Sequence, residues 1–190
     1  MALTASPSGF VLRKNPTGQS RANAYTILAS YATAIGYGDV VALATDGTIQ
    51  QAAAAADTLG VFAGVQYTDS TGKPNFAKNW PGAVSGATNI VAYVYDDQDN
   101  IFEVQVGASG TGYVQAAIGD QADLVAATPV AATGQSAEYL NATLKGAGVQ
   151  GQFRIVGFGS DGFYDATTNP FPTVLVQQAR HQLTAAKVAI

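Results

Sequence analysis

Apolar and polar residues alternate with a period of two along much of the chain. In Ile101-Phe102-Glu103-Val104-Gln105-Val106, the residues Phe102, Val104 and Val106 share one face while Glu103 and Gln105 share the other, which predicts a half-buried strand. Residues 89–95 are apolar on both faces, as a central strand requires. Between them lie the turn-forming residues Asp96-Asp97-Gln98-Asp99-Asn100, so the three pieces together predict a β-hairpin. A second hairpin is predicted where Asp46-Gly47 separates Val40-Val41-Ala42-Leu43 from Thr48-Ile49, because an Asp-Gly pair accepts the positive φ angles of a type I′ turn. Residues 60–67 read as a strand with Val61, Ala63, Val65 and Tyr67 on one side, and Gly60 and Gly64 suggest a bulge. Residues 152–156 and 173–177 complete a set of short strands, and 138–144 adds one more.

Helical signals are weak. The run of five alanines ending at Ala56 has high helix propensity but is too short to be stable alone, so it reads as a helical turn or a loop. No apolar stripe of period 3.6 persists over three turns. The expected fold is therefore all-β, a single β-barrel or jelly-roll-like sandwich.

Residues 70–86 read as one long loop carrying Trp80 beside Lys73 and Lys78. Long ordered loops in compact domains tend to carry function, and an aromatic beside basic residues suits a contact anchor. The other reading is that Trp80 caps one end of the β-body.

Charge refines the layout. Residues 1–38 hold Arg13, Lys14 and Arg21 with no acid before Asp39, whereas the rest of the chain carries six bases against all 13 acids. This predicts an extended basic arm over residues 1–30 on an acidic body over 31–190. In that arrangement Phe10 is an apolar anchor, and Arg13, Lys14 and Arg21 meet an acidic partner or a neighbouring copy. A solvated terminus is the plainer alternative. Arg180 and His181, near the C-terminus, form a second candidate contact, unless the tail completes a sheet.

Charged residues make up only 12% of the chain, about half the usual share, which suits a surface covered by partners or a compact β-protein rich in turns. An acidic body disfavours broad nucleic-acid binding, which relies on phosphate neutralisation. No run of ~20 apolar residues marks a membrane span, and the start of the sequence lacks the basic and apolar regions of a signal peptide, so a soluble protein made in the cytoplasm is expected.

Candidate chemistry is sparse. There is no cysteine, and His181 is the single histidine, which leaves little for metal binding or for base catalysis near neutral pH. No serine sits in a Gly-x-Ser-x-Gly elbow. The stretch Gly157-Phe158-Gly159-Ser160-Asp161-Gly162 has the spacing of a dinucleotide fingerprint, but Pro170 and Pro172 follow where a helix should open, so it reads as a loop between strands. Asp96, Asp97 and Asp99 lack the glycine and glutamate of a calcium loop. Paired carboxylates are not excluded, but nothing in the sequence singles out a pair. No cofactor, metal site or catalytic residue is expected.

Several segments in order do carry a resemblance. They include Ser8-Gly9-Phe10, Gly38-Asp39-Val40-Val41, Asp46-Gly47-Thr48-Ile49, residues 60–69, Asn79-Trp80-Pro81, Val94-Tyr95-Asp96-Asp97, Phe102-Glu103-Val104-Gln105, Phe153-Arg154-Ile155-Val156-Gly157 and the tail 176–182. In order and spacing these resemble the capsid decoration or cement proteins of tailed-phage heads. Gln98 departs from that pattern, which often has proline after the two aspartates. The resemblance implies a non-enzymatic virion protein on the outer capsid surface, dimeric or trimeric, partnered by the major capsid protein at capsomer junctions, with no nucleic acid or membrane partner. It transfers no contact residues. The competing expectation is a carbohydrate-binding surface module using Tyr93, Tyr95, Tyr113 and Trp80 as a stacking face.

Overall fold

A computed structural model describes residues 4–107, 110–146 and 148–184. Thirteen strands run in chain order: β1 (Val11–Lys14), β2 (Asn23–Tyr25), β3 (Val40–Leu43), β4 (Ile49–Gln51), β5 (Gly60–Thr68), β6 (Pro74–Ala77), β7 (Thr88–Tyr95), β8 (Ile101–Gln105), β9 (Gln121–Ala122), β10 (Leu124–Val125), β11 (Tyr139–Leu140), β12 (Phe153–Phe158) and β13 (Thr173–Gln178). A single 3₁₀ turn, Gln115–Ala117, is the only helical element among the described residues, and no helix there is long and apolar enough to cross a membrane. One sheet has the order β1-β8-β13-β12-β9 and the other the order β2-β7-β5-β3-β4, with β6 also on β5; β10 and β11 form a small third ladder. All the named strands pair antiparallel. The fold is all-β, and the two large sheets pack face to face.

The six-stranded sheet is buried on both faces along β3 and the first half of β5. Val40, Ala42 and Val61 join Phe102, Val104, Phe153, Ile155, Val174 and Val176 of the five-stranded sheet in one core. Val41, Phe62, Val65, Ala92 and Val94 point the other way, into a second core closed by Ile27, Ile35, Leu59 and Trp80. A sheet covered on both sides needs apolar residues at successive positions, and β3 and the first half of β5 have them. The second core lies where the six-stranded sheet curls: the Ile49 N–H at the start of β4 donates to the Thr26 carbonyl just past β2, at 2.9 Å. That bond joins the opposite edges at a point, short of a ladder. The barrel reading is thus set aside in favour of the sandwich.

Four local expectations change. β7 and β8 are not a hairpin: β7 lies between β2 and β5, β8 between β1 and β13, and residues 96–100 carry the chain from one sheet to the other. The Asp46-Gly47 hairpin does form, with Leu43 opposite Ile49. However, Ala44 and Thr48 close a three-residue loop in which Gly47, but not Asp46, has positive φ, so the turn is not type I′. In β5 the register shifts between Phe62 and Gly64, and Gly64 adopts a φ of 140°. The extra residue turns Val65 and Tyr67 to the face opposite Val61, so the expected single-sided set is split. Finally, the 70–86 segment is not all loop, because β6 pairs with the end of β5.

The largest correction concerns the arm. Residues 1–30 supply two strands, β1 at the edge of one sheet and β2 at the edge of the other. Phe10 is 1% exposed and stacks on Phe153 with ring centroids 4.5 Å apart. A ring of that size gains far more from this burial than from solvent, so it is a core residue and not a free anchor. Phe10→Ala should cost roughly 3–5 kcal/mol, read as a lower urea midpoint with an unchanged denaturant slope. Deleting residues 2–21 should unfold the protein instead of leaving an intact body, a difference visible by circular dichroism.

Candidate functional site

The basic residues of the amino-terminal segment lie on the surface, and Arg13 is engaged there. Its guanidinium makes a two-pronged ion pair with Glu103 across the β1–β8 ladder, at 2.7 and 2.9 Å. Half of the Arg13 side chain faces water, so the pair contributes at most about 1 kcal/mol. Lys14 and Arg21 are exposed. The structure does not gather these three with the other expected contact residues into one site.

Trp80 is fully buried. Its backbone pairs with Ile35 in both directions, its indole N–H donates to the Tyr31 carbonyl at 3.0 Å, and its ring meets Tyr67 edge-on at 5.7 Å. It plugs the second core and is unavailable as an anchor. Arg180 donates from Nε to Asp57 at 2.7 Å and from a terminal nitrogen to the Ala55 carbonyl at 2.6 Å, which holds the loop that follows β4. His181 is 6% exposed: Nε2 donates to the Asp96 carbonyl at 2.8 Å while Nδ1 accepts from the Leu183 N–H at 3.1 Å. Both ring nitrogens are committed to backbone, so Arg180 and His181 are fold-closing groups. Gln182, which carried no signal in the sequence, caps β3 by accepting from the Leu43 N–H and donating to the Leu43 carbonyl.

The aspartates of the crossover are held by protein donors. Asn15 reaches Asp97 and Asn100, Asn23 and Tyr25 reach Asp96, and Gln177 reaches Asp99. Among the described residues no cluster of three or more histidine, cysteine or acidic side chains is placed to hold a metal. Of the glycine-rich stretch 157–162, Gly157 and Phe158 end β12 and the rest opens the loop to β13, with Asp161 accepting from Thr173. Of the four aromatics expected to form a stacking face, Trp80 and Tyr113 have no exposed surface, so that face is not assembled.

Two features went unread in the sequence. The first is a buried acid pair. Asp39 and Glu138 are both fully buried, and the Gln51 amide reaches both, Glu138 at 3.0 Å. Glu138 also accepts from the Val40 N–H, and Asp39 from the Gly36 N–H. Burial pushes the Asp39 carboxyl up to about 6, opposed by hydrogen bonds from Ser136 and Gly36. Burial, and then the nearby Asp39 charge, lift Glu138 well above the usual carboxylate range. The pair ties 36–40 to 134–138, and 8–10 runs beside them through the Phe10 N–H on the Gly38 carbonyl; Gly9 and Gly36 let these backbones pass so closely that a Cβ at either would meet Ser136 below 3 Å. With no surface exposed, neither acid can meet a substrate.

The second is an apolar patch at the edge of the five-stranded sheet. Val114, Ile118, Val156 and Phe163 are 36–44% exposed. Gly119 and Asp120 hydrogen-bond to Ile155, and Tyr164 to Tyr113, which sets 113–120 and 163–164 beside β12. Phe163 packs edge-on against Phe158 at 4.5 Å. The residues come from two stretches distant in sequence, 114–118 and 156–163, so no local pattern marks them. No family model, curated protein or solved structure matches this chain.

The acid pair sets a pH dependence. Both carboxyls bind protons more tightly in the folded chain than at their unfolded values near 4, so this contribution to stability falls as pH rises from about 4 through about 6 and beyond. Asp46 and Asp165 are shifted the other way, and their contribution is lost only as pH falls below about 4, outside that window. Thermal unfolding should therefore give a higher midpoint at pH 5 than at pH 7.5. Asp39→Asn, whose amide can face the Ser136 hydroxyl, should make the slope shallower.

Proposed function

We propose that the protein is a non-enzymatic decoration, or cement, subunit of a tailed-phage head, which binds the outer surface of the major capsid lattice at capsomer junctions and stabilises it. The observation that carries this reading is the group of exposed apolar side chains Val114, Ile118, Val156 and Phe163 beside β12. The low charge of the chain and the order of its resembling segments agree with it. Each patch residue already has more than half its surface covered, so completing its burial contributes on the order of 1 kcal/mol. Association costs several kcal/mol in lost freedom, so one patch alone binds weakly. A dimer or trimer seated on repeating capsomers gains effective concentration from its other copies. Because it binds the assembled lattice in preference to free capsid subunits, each seated copy stabilises the lattice by linkage.

Purified protein mixed with mature capsids that lack it should give saturable co-sedimentation and ordered density on the outer surface. The double substitution Ile118→Asp, Phe163→Asp should weaken that binding at least tenfold while circular dichroism stays unchanged. Wild-type protein that stays in the supernatant at all concentrations would overturn the proposal.

A further inference from the structure

We infer that a small cavity spanning β6, β5 and β7 is a binding subsite for a neutral saccharide, with the Phe76 ring as its stacking platform. This inference does not depend on the capsid reading, because the cavity and the apolar patch lie on different sheets.

Phe76 is 78% exposed, the most exposed large apolar side chain among the described residues. It stands on a strand that begins with Pro74 and is held on one side by β5, where Phe76 lies opposite Gln66. Beyond the Gly64 bulge this face of the six-stranded sheet has no cover from the other sheet, which leaves a cavity of about 140 Å³ lined by Phe76, Gln66, Thr68, Asn75 and Asn89 together with Tyr67 and Pro74. Asn89 sits opposite a second irregularity in β5, between Gln66 and Thr68, and its φ is 52°. A non-glycine residue held in the left-handed region is uncommon, and asparagine tolerates it best.

The lining decides the ligand class. No charged side chain borders the cavity, so an anion or cation entering it would lose water without gaining a counter-charge. The polar groups are amides and a hydroxyl, which both donate and accept. Among the described residues neither the Gln66 nor the Asn89 side chain has a hydrogen-bond partner. Asn75, by contrast, is held in place by donating to Asp69 and to the Lys73 carbonyl. A pyranose offers what this arrangement lacks: a C–H face for the ring of Phe76, and adjacent hydroxyls that satisfy a donor and an acceptor together. An apolar peptide would cover Phe76 but leave both amides unpaired, at a cost of about 1–3 kcal/mol each if they were buried.

The test is saturation-transfer NMR on the full chain with maltose, lactose, cellobiose and chitobiose, against sialyllactose and a sulfated heparin disaccharide. At least one neutral disaccharide should receive saturation at ring C–H positions. Phe76→Ala should weaken it by about tenfold or more, and Asn89→Gly, which keeps the left-handed backbone, should weaken it as well. Both positions are exposed, so both variants should fold and still bind capsids. Absence of transfer to every neutral sugar, preference for the charged pair, or transfer unchanged in both variants would overturn the inference.

Discussion

The architecture depends on the burial of the six-stranded sheet from both sides. One face meets the second sheet, and the other is closed by its own curl, by Ile27 and Ile35, and by Trp80. Where the sheet is covered on both sides, in β3 and the first half of β5, Val40, Val41, Val61 and Phe62 must all be apolar and leave no room for charge. This physical demand accounts for much of the low charge content, which composition alone could not separate from a partner-covered surface. It also explains why segments before β3 and around Trp80 are drawn inward: they close the second core.

Polar interactions then decide how the sheets connect. Residues 96–100 could have folded back as a hairpin, yet every hydrogen-bonding edge of β7 and β8 is already taken by other strands. The crossover is fixed instead by side chains arriving from elsewhere, namely Asn15 after β1, Asn23 and Tyr25 on β2, Gln177 on β13 and His181 beyond it. Burial, together with the hydrogen bond to Asp96 and its charge, raises the Tyr25 hydroxyl well above its usual range, so it remains a donor at any physiological pH. Amino-terminal and carboxy-terminal segments thus meet at one turn. Neither end can be treated as an appendage.

The sequence was legible where structure follows local rules. Alternation located β5, β8, β12 and β13 to within a residue or two, the Asp-Gly pair located the β3–β4 hairpin, and the prolines after residue 162 ruled out a nucleotide-binding helix. It misled where the outcome rests on distant partners. Phe10 looked like an anchor because its partner Phe153 lies far along the chain. For Trp80 the sequence left two readings open, a contact anchor or a cap on one end of the β-body, and the second holds because the loop folds over a core. The Gly64 bulge was foreseen, but its effect on the faces of β5 was not, since a bulge inverts every later position. Asp39 and Glu138 carried no signal at all: each alone looks like an ordinary surface acid, and only the tertiary fold makes them neighbours.

What remains outside these constraints is a small set of groups that the fold does not use. Arg13, Arg180 and His181 have partners within the chain, whereas Lys14 and Arg21 stay exposed. Apolar or neutral side chains are left on the surface too, and two groups of them stand out. One is the apolar group beside β12, which suits a contact with protein; the other is the Phe76 ring with the Gln66 and Asn89 amides near β6, which suit a small hydroxylated ligand. Because they sit on different sheets of one packed sandwich, filling one does not require uncovering the other. A subunit seated through the first would carry the second into solvent at each position on the lattice, where repetition turns a weak single site into an avid surface.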